Sequence, residues 1–241
     1  MHIFKRLLSI IFSLTIVFEA AMPGIAAFAE NEAVTEAAAA GEDTETAADE
    51  NAIYISTPAD LVQLARNCRL DTWSAGKTVI LKNDIDMSGK KDFKYIPVFG
   101  GTFDGQSFTI KGISFTENGS NAGLFRIIQP GATVKHLNLE LNITPSGTRE
   151  NIGGLAGKNG GTILNCSVRG TVRGKTYVGG ITGINLADGK IVNSQNHASV
   201  YGEHYVGGIA GQNLGQIIQC TNSAVVNNTA VDVKLDIKSL N

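Results

Sequence analysis

Apolar and polar positions recur along this chain with a long period. Ile152-Gly-Gly-Leu-Ala-Gly157, Val178-Gly-Gly-Ile-Thr-Gly183 and Val206-Gly-Gly-Ile-Ala-Gly211 are three copies of one phrase, 26 and 28 residues apart. A short β-branched run follows each copy: Thr162-Ile-Leu-Asn-Cys166, Lys190-Ile-Val-Asn-Ser194 and Gln216-Ile-Ile-Gln-Cys220, spaced by 28 and 26 residues. A repeat of this length that keeps register across two elements reads as one coil of a solenoid. A fourth, degenerate copy precedes them, with Gly123-Leu-Phe125 followed by Thr133-Val-Lys-His-Leu137.

Each coil has room for three strands of about 4 to 6 residues joined by turns, the arrangement of a parallel β-helix. Val178 and Ile181 lie three apart, which breaks strict strand alternation and predicts a corner or bulge at the glycines. Upstream, Thr78-Val-Ile-Leu81 leads into Asn83-Asp-Ile-Asp-Met87, and Gly101-Thr-Phe-Asp-Gly105 into Phe108-Thr-Ile-Lys-Gly-Ile-Ser-Phe115. These read as the first coils. The expected fold is all-β, a parallel β-helix of about five to six coils over residues 51–241, roughly 25 to 30 Å long at about 4.8 Å per coil.

One segment carries a different period. Thr57, Pro58 and Asp60 form a capping box with proline at the first helical position, and Leu61, Leu64, Ala65 and Cys68 fall on one helical face. This predicts a short N-terminal helix that covers the open end of the column, with Trp73 packed in the same cap.

The first 29 residues read as an export signal. Lys5 and Arg6 precede an apolar run over residues 7–18, and Ala27-Phe28-Ala29 supplies small residues at a cleavage site. The run is too short to span a bilayer core, which needs about 20 residues. No membrane span is expected after signal removal, and the destination is secreted or cell surface. Residues 30–50 carry eight acidic residues and no basic one, the composition of a disordered acidic leader. Once the leader's charge and the signal's single net positive charge are removed from the chain's total of -2, residues 51–241 are left at a formal +5. That balance is too small and scattered to indicate nucleic acid.

Asn83-Asp-Ile-Asp-Met87, the Tyr95 to Gly105 segment, Gly123-Leu-Phe125 and the three Gly-Gly repeats together resemble bacterial surface proteins built from GLUG repeats. They are also similar to the β-helical N-terminal region of Gram-positive immunoglobulin A peptidases. The resemblance covers roughly residues 53–226. It implies a β-helical surface module and, for the peptidases, catalysis by a zinc HExxH helix in another domain. No HExxH occurs here: His2, His136, His197 and His204 are not followed by glutamate.

Several residue types are candidates for chemistry. Glycan-cleaving β-helices use clustered carboxylates on stacked strands. Asp84, Asp86 and Asp104 are the nearest approach to such a cluster, but acids beside turns more often bind backbone donors. No catalytic residue, metal ligand or cofactor is therefore assigned. Cys166, Ser194 and Cys220 share one repeat position, so two coils separate the cysteines by about 9.6 Å, beyond the reach of a disulfide. Free thiols are expected there and at Cys68. Tyr177 and Tyr205 occupy equivalent positions on adjacent coils, with Asn151 in the preceding copy, and are the candidate ligand contacts.

The expected function is a noncatalytic exported repeat module for surface presentation or adhesion to a host or envelope protein or a glycan. The alternatives are a structural N-terminal fragment of a larger surface protein or peptidase, and a glycan-cleaving β-helix enzyme. At the far end, residues 231–237 alternate apolar and charged like one more strand, and weak self-association through the C-terminal coil is expected.

Overall fold

The structure is a computed structural model and describes residues 51–227. The export signal, the acidic leader and the strand expected at 231–237 lie outside the described residues. Within them the chain winds as a parallel β-solenoid whose strands stack into four sheets. The first sheet has seven strands: Ala52–Ile55, Thr78–Leu81, Thr102–Asp104, Thr133–Lys135, Thr162–Leu164, Lys190–Val192 and Gln216–Ile218. Seven strands in one stack correspond to six turns of the chain, the upper end of the expected range.

The second sheet holds six strands, from Ile85–Asp86 to Thr221–Asn222, and the third holds five, from Ile96–Phe99 to Ala210–Asn213. The fourth contains only Glu150–Gly153, Thr176–Gly179 and His204–Gly207. The last three coils therefore carry four strands each, where three were expected. The difference arises inside the Gly-Gly phrase, whose first half ends one strand and whose second half begins the next. Val178 and Ile181, both fully buried, flank the corner that separates the fourth sheet from the third.

Register follows the sequence repeat. Ile152 pairs with Val178 and Val178 with Val206, while Thr162 pairs with Lys190 and Lys190 with Gln216. The degenerate copy joins the same stack, with Ala122 bridged to Ile152 and Phe125 paired with Ala156. Between these two pairs the offset grows from 30 to 31 residues, so this copy is one residue shorter at its glycine corner than the copy that follows.

The core is a column of stacked side chains. Val79, Phe103, Val134, Ile163 and Ile191 occupy the same inward position on successive first-sheet strands, and all are fully buried. In the earlier coils, Phe99, Phe103 and Phe125 fill the interior, with ring centroids 5.3 to 6.1 Å apart. The later coils use small and amide side chains in its place. Asn159 and Asn185 are both fully buried. Asn159 Nδ2 donates to Asn185 Oδ1 at 2.8 Å, and Asn185 Nδ2 donates to Asn213 Oδ1 at 2.8 Å. A second amide pair, Asn196 to Asn222, runs along the second sheet at 2.7 Å.

The expected helix spans Pro58–Asn67. Thr57 Oγ1 accepts from the Asp60 amide at 3.2 Å, and Asp60 Oδ2 accepts from the Thr57 and Ser56 amides at 2.8 and 3.0 Å. These bonds satisfy donors that the first helical turn leaves open. The Ser56 amide is the largest influence holding the Asp60 carboxyl below its usual range. The helix stands between the first two strands of the first sheet, where a regular coil would carry further strands. Leu61, Leu64 and Cys68 seal the core from this end, and the Val98 amide reaches the Cys68 carbonyl at 3.3 Å. Trp73 is half-buried against the core, as expected, with Lys77 Nζ 5.3 Å from the ring centre.

Candidate functional site

The corners of the solenoid decide what the two candidate tyrosines can present. The corner expected at the Gly-Gly phrase is present, and its glycines are absent from the left-handed positions. The residue just before each phrase adopts that conformation: Asn121, Asn151, Tyr177 and Tyr205 have φ of 54°, 57°, 55° and 54°. The glycines are required for a different reason. A Cβ on Gly180 would lie 2.2 Å from Asn196 Cγ and 2.3 Å from the Gly208 carbonyl oxygen, so the close approach of neighbouring coils excludes any side chain there.

A second left-handed corner joins the first sheet to the second at His136, Asn165, Asn193 and Gln219, with φ between 49° and 52°. Asparagine enters this conformation readily, whereas a bulky aromatic residue does so at a cost on the order of 1 kcal/mol or more. The chain thus places tyrosine at two corners whose earlier equivalents are asparagine.

Tyr177 lies opposite Asn151 on one side and Tyr205 on the other, as the pairing of the flanking residues requires. The two rings stack with centroids 4.9 Å apart and planes 14° from parallel. Tyr177 is half-buried, and Tyr205 is 65% exposed. Because the rings face each other along the column, they show their edges sideways, and the open aromatic face is the distal side of Tyr205. Asn151 continues the line with a different chemistry, donating from Nδ2 to Asn121 Oδ1 at 2.8 Å. Near the tyrosines in sequence, Glu203 accepts from Arg149 across coils at 3.3 Å.

The three candidate acids are held apart by separate tasks. Asp84 Oδ1 accepts from the Thr109 amide at 2.8 Å. Asp86 accepts from the Ser88 amide at 2.9 Å and faces Lys111 at 3.6 Å. Asp104, nearly buried, accepts from the Gln106 amide at 3.0 Å and lies 3.1 Å from Lys135 Nζ and 3.3 Å from His136 Nδ1. Burial raises the Asp104 pKa, but the Gln106 amide, Lys135 and His136 outweigh it, and the net shift is downward. Among the described residues no group of three His, Cys, Asp or Glu side chains is placed to hold a metal ion.

The three cysteines are unpaired. Cys166 and Ser194 are fully buried at their shared position, where the Cys166 amide donates to Ser194 Oγ at 3.1 Å and the thiol to the Leu164 carbonyl at 3.4 Å. Burial pushes the Cys166 thiol up to about 12 and the Cys68 thiol up to about 11, which leaves both without useful thiolate at neutral pH.

With six parallel turns, in-register glycine phrases and amide ladders, the protein is a β-solenoid repeat module. Comparison with known proteins gives the repeat its name: residues 148–173 match the family model described as the GLUG motif. The fold is similar to that of a candidate immunoglobulin A1 protease from Bacteroides ovatus, with a TM-score of 0.60 and 22% identity over 73% of this chain and 58% of the other. That likeness is one of fold. In sequence, 92 residues are 35% identical to part of halomucin from Haloquadratum walsbyi, covering 38% of this chain and 1% of that protein. The chain thus spans a little over half of one relative and a very small part of the other. Among the described residues no helix is long and apolar enough to cross a membrane.

Proposed function

We propose that this GLUG-motif β-helix is an exported, noncatalytic module for surface presentation or adhesion, and that Tyr205, backed by Tyr177, makes the ligand contact. The observation that carries this reading is a large aromatic residue at two left-handed corners, one of them 65% exposed. Backbone strain maintained at an exposed aromatic side chain is a mark of function. An open ring face backed by a second ring suits the apolar face of a sugar or an aromatic or cationic group on a protein partner. The separate engagement of Asp84, Asp86 and Asp104 favours a binding role over carbohydrate cleavage. Export rests on the charged, apolar and small-residue sequence of residues 1–29.

A glycan array probed with the full secreted chain and with Tyr205→Asn tests the contact. Asparagine suits the left-handed corner, as at Asn151, so the variant should fold with near wild-type stability and lose array signal. Retention of every signal by Tyr205→Asn would remove Tyr205 from the site.

A further inference from the structure

A second surface lies at the opposite end of the column from the tyrosines. The cap helix and the outer face of the third sheet's first strands enclose a cleft of about 640 Å³. This is within the range of about 300 to 1,000 Å³ common for small-molecule sites. Arg66 comes from the last turn of the helix, Arg69 from the turn after it, and Arg126 from the strand Phe125–Ile128. Their guanidinium groups are exposed and make no ion pair or side-chain hydrogen bond with any described residue. Lys94 also lines the cleft but is engaged by Glu117. Three guanidinium groups, unpaired among the described residues, thus converge on one concavity from a helix, a turn and a strand.

We propose that this cleft binds a carboxylated sugar, the acidic residue of a uronate- or sialate-bearing saccharide. The planar donor fork of arginine matches a carboxylate in bidentate fashion, which a point charge such as lysine does not. Asp71 and Asp92 line the same cleft without a partner among the described residues. They are suited to accept from sugar hydroxyls, and they oppose a densely charged anion such as phosphate. Val62 and Val98 supply aliphatic surface on which the C–H face of a sugar ring can rest. Each lining chemistry thus corresponds to a part of an acidic sugar: carboxylate, hydroxyls and ring face. This site stands independently of the tyrosine contact.

Calorimetric titration of the full secreted chain with trigalacturonate and with sialyllactose tests the proposal, using trigalactose, lactose and inorganic phosphate as comparators. Saturable binding of at least one acidic saccharide is expected, at least about tenfold tighter than its neutral counterpart and weakening as salt rises. Arg66→Gln and Arg126→Gln should each weaken it by about tenfold or more, with unchanged circular dichroism. Lys175→Ala, at an exposed turn outside the cleft, should bind these probes as the wild type does. The proposal is overturned if neither acidic saccharide binds, if a neutral counterpart binds equally, or if phosphate binds as tightly. The wild-type comparisons decide the matter even if an arginine variant fails to fold.

Discussion

Asn159 and Asn185, 26 residues apart in sequence, are joined by a 2.8 Å hydrogen bond between side chains that are both fully buried. Asn185 Nδ2 also lies near Asn213 Oδ1 and the Gly189 and Gln216 carbonyls, at 2.8, 3.1 and 3.3 Å. One amide therefore fastens its own corner and the coils on either side.

Replacing this amide tests the ladder directly. Asn185→Asp keeps the shape but turns the donor into an acceptor facing three other acceptors, so a loss of about 3 kcal/mol or more is expected at neutral pH. Asn185→Ala should cost about 2 kcal/mol. Urea midpoints measure both, and an aspartate variant as stable as wild type would mean that the ladder contributes nothing.

Thr182 offers the opposite case. Its Oγ1 is buried without a hydrogen-bond partner among the described residues, and its neighbours above and below in register are Ala156 and Ala210. Thr182→Val conserves the shape and removes the unpaired hydroxyl, so it should raise stability by about 1 kcal/mol. A fall in melting temperature would indicate that the hydroxyl is satisfied in solution.

Gly180 is constrained by the neighbouring coil and not by its own backbone angles. Even Gly180→Ala should therefore cost about 3 kcal/mol or more, because Asn196 and the Gly208 backbone would have to move. Lys175→Ala, at an exposed turn, should change stability by less than about 0.5 kcal/mol. Equal denaturant midpoints for the two variants would contradict the close stacking at this corner.

The thiols provide a chemical check on register. In the native protein at pH 8, Cys166 and Cys68 should resist alkylation, since burial pushes their thiols up to about 12 and about 11. After denaturation without reductant all three cysteines should react, and intact mass counts the adducts. A disulfide between Cys166 and Cys220 in freshly prepared monomer would require a different coil register.

The coil period, the in-register stacking, the capped helix and the unpaired cysteines were all legible in the sequence. Each depends on local spacing. Once Ile152, Val178 and Val206 recur with a constant environment, parallel pairing follows, and Thr57 with Asp60 specifies a helix start within four residues. Tertiary structure alone divided the Gly-Gly phrase between two sheets and set the left-handed backbone at Asn151, Tyr177 and Tyr205, because inter-coil contacts override conformational preference at those corners. It alone turned the tyrosine rings face to face, and it alone brought Arg66, Arg69 and Arg126 to one cleft. The physical reason is common to both: these relations depend on the distance and orientation between coils, which residue spacing along one chain does not encode.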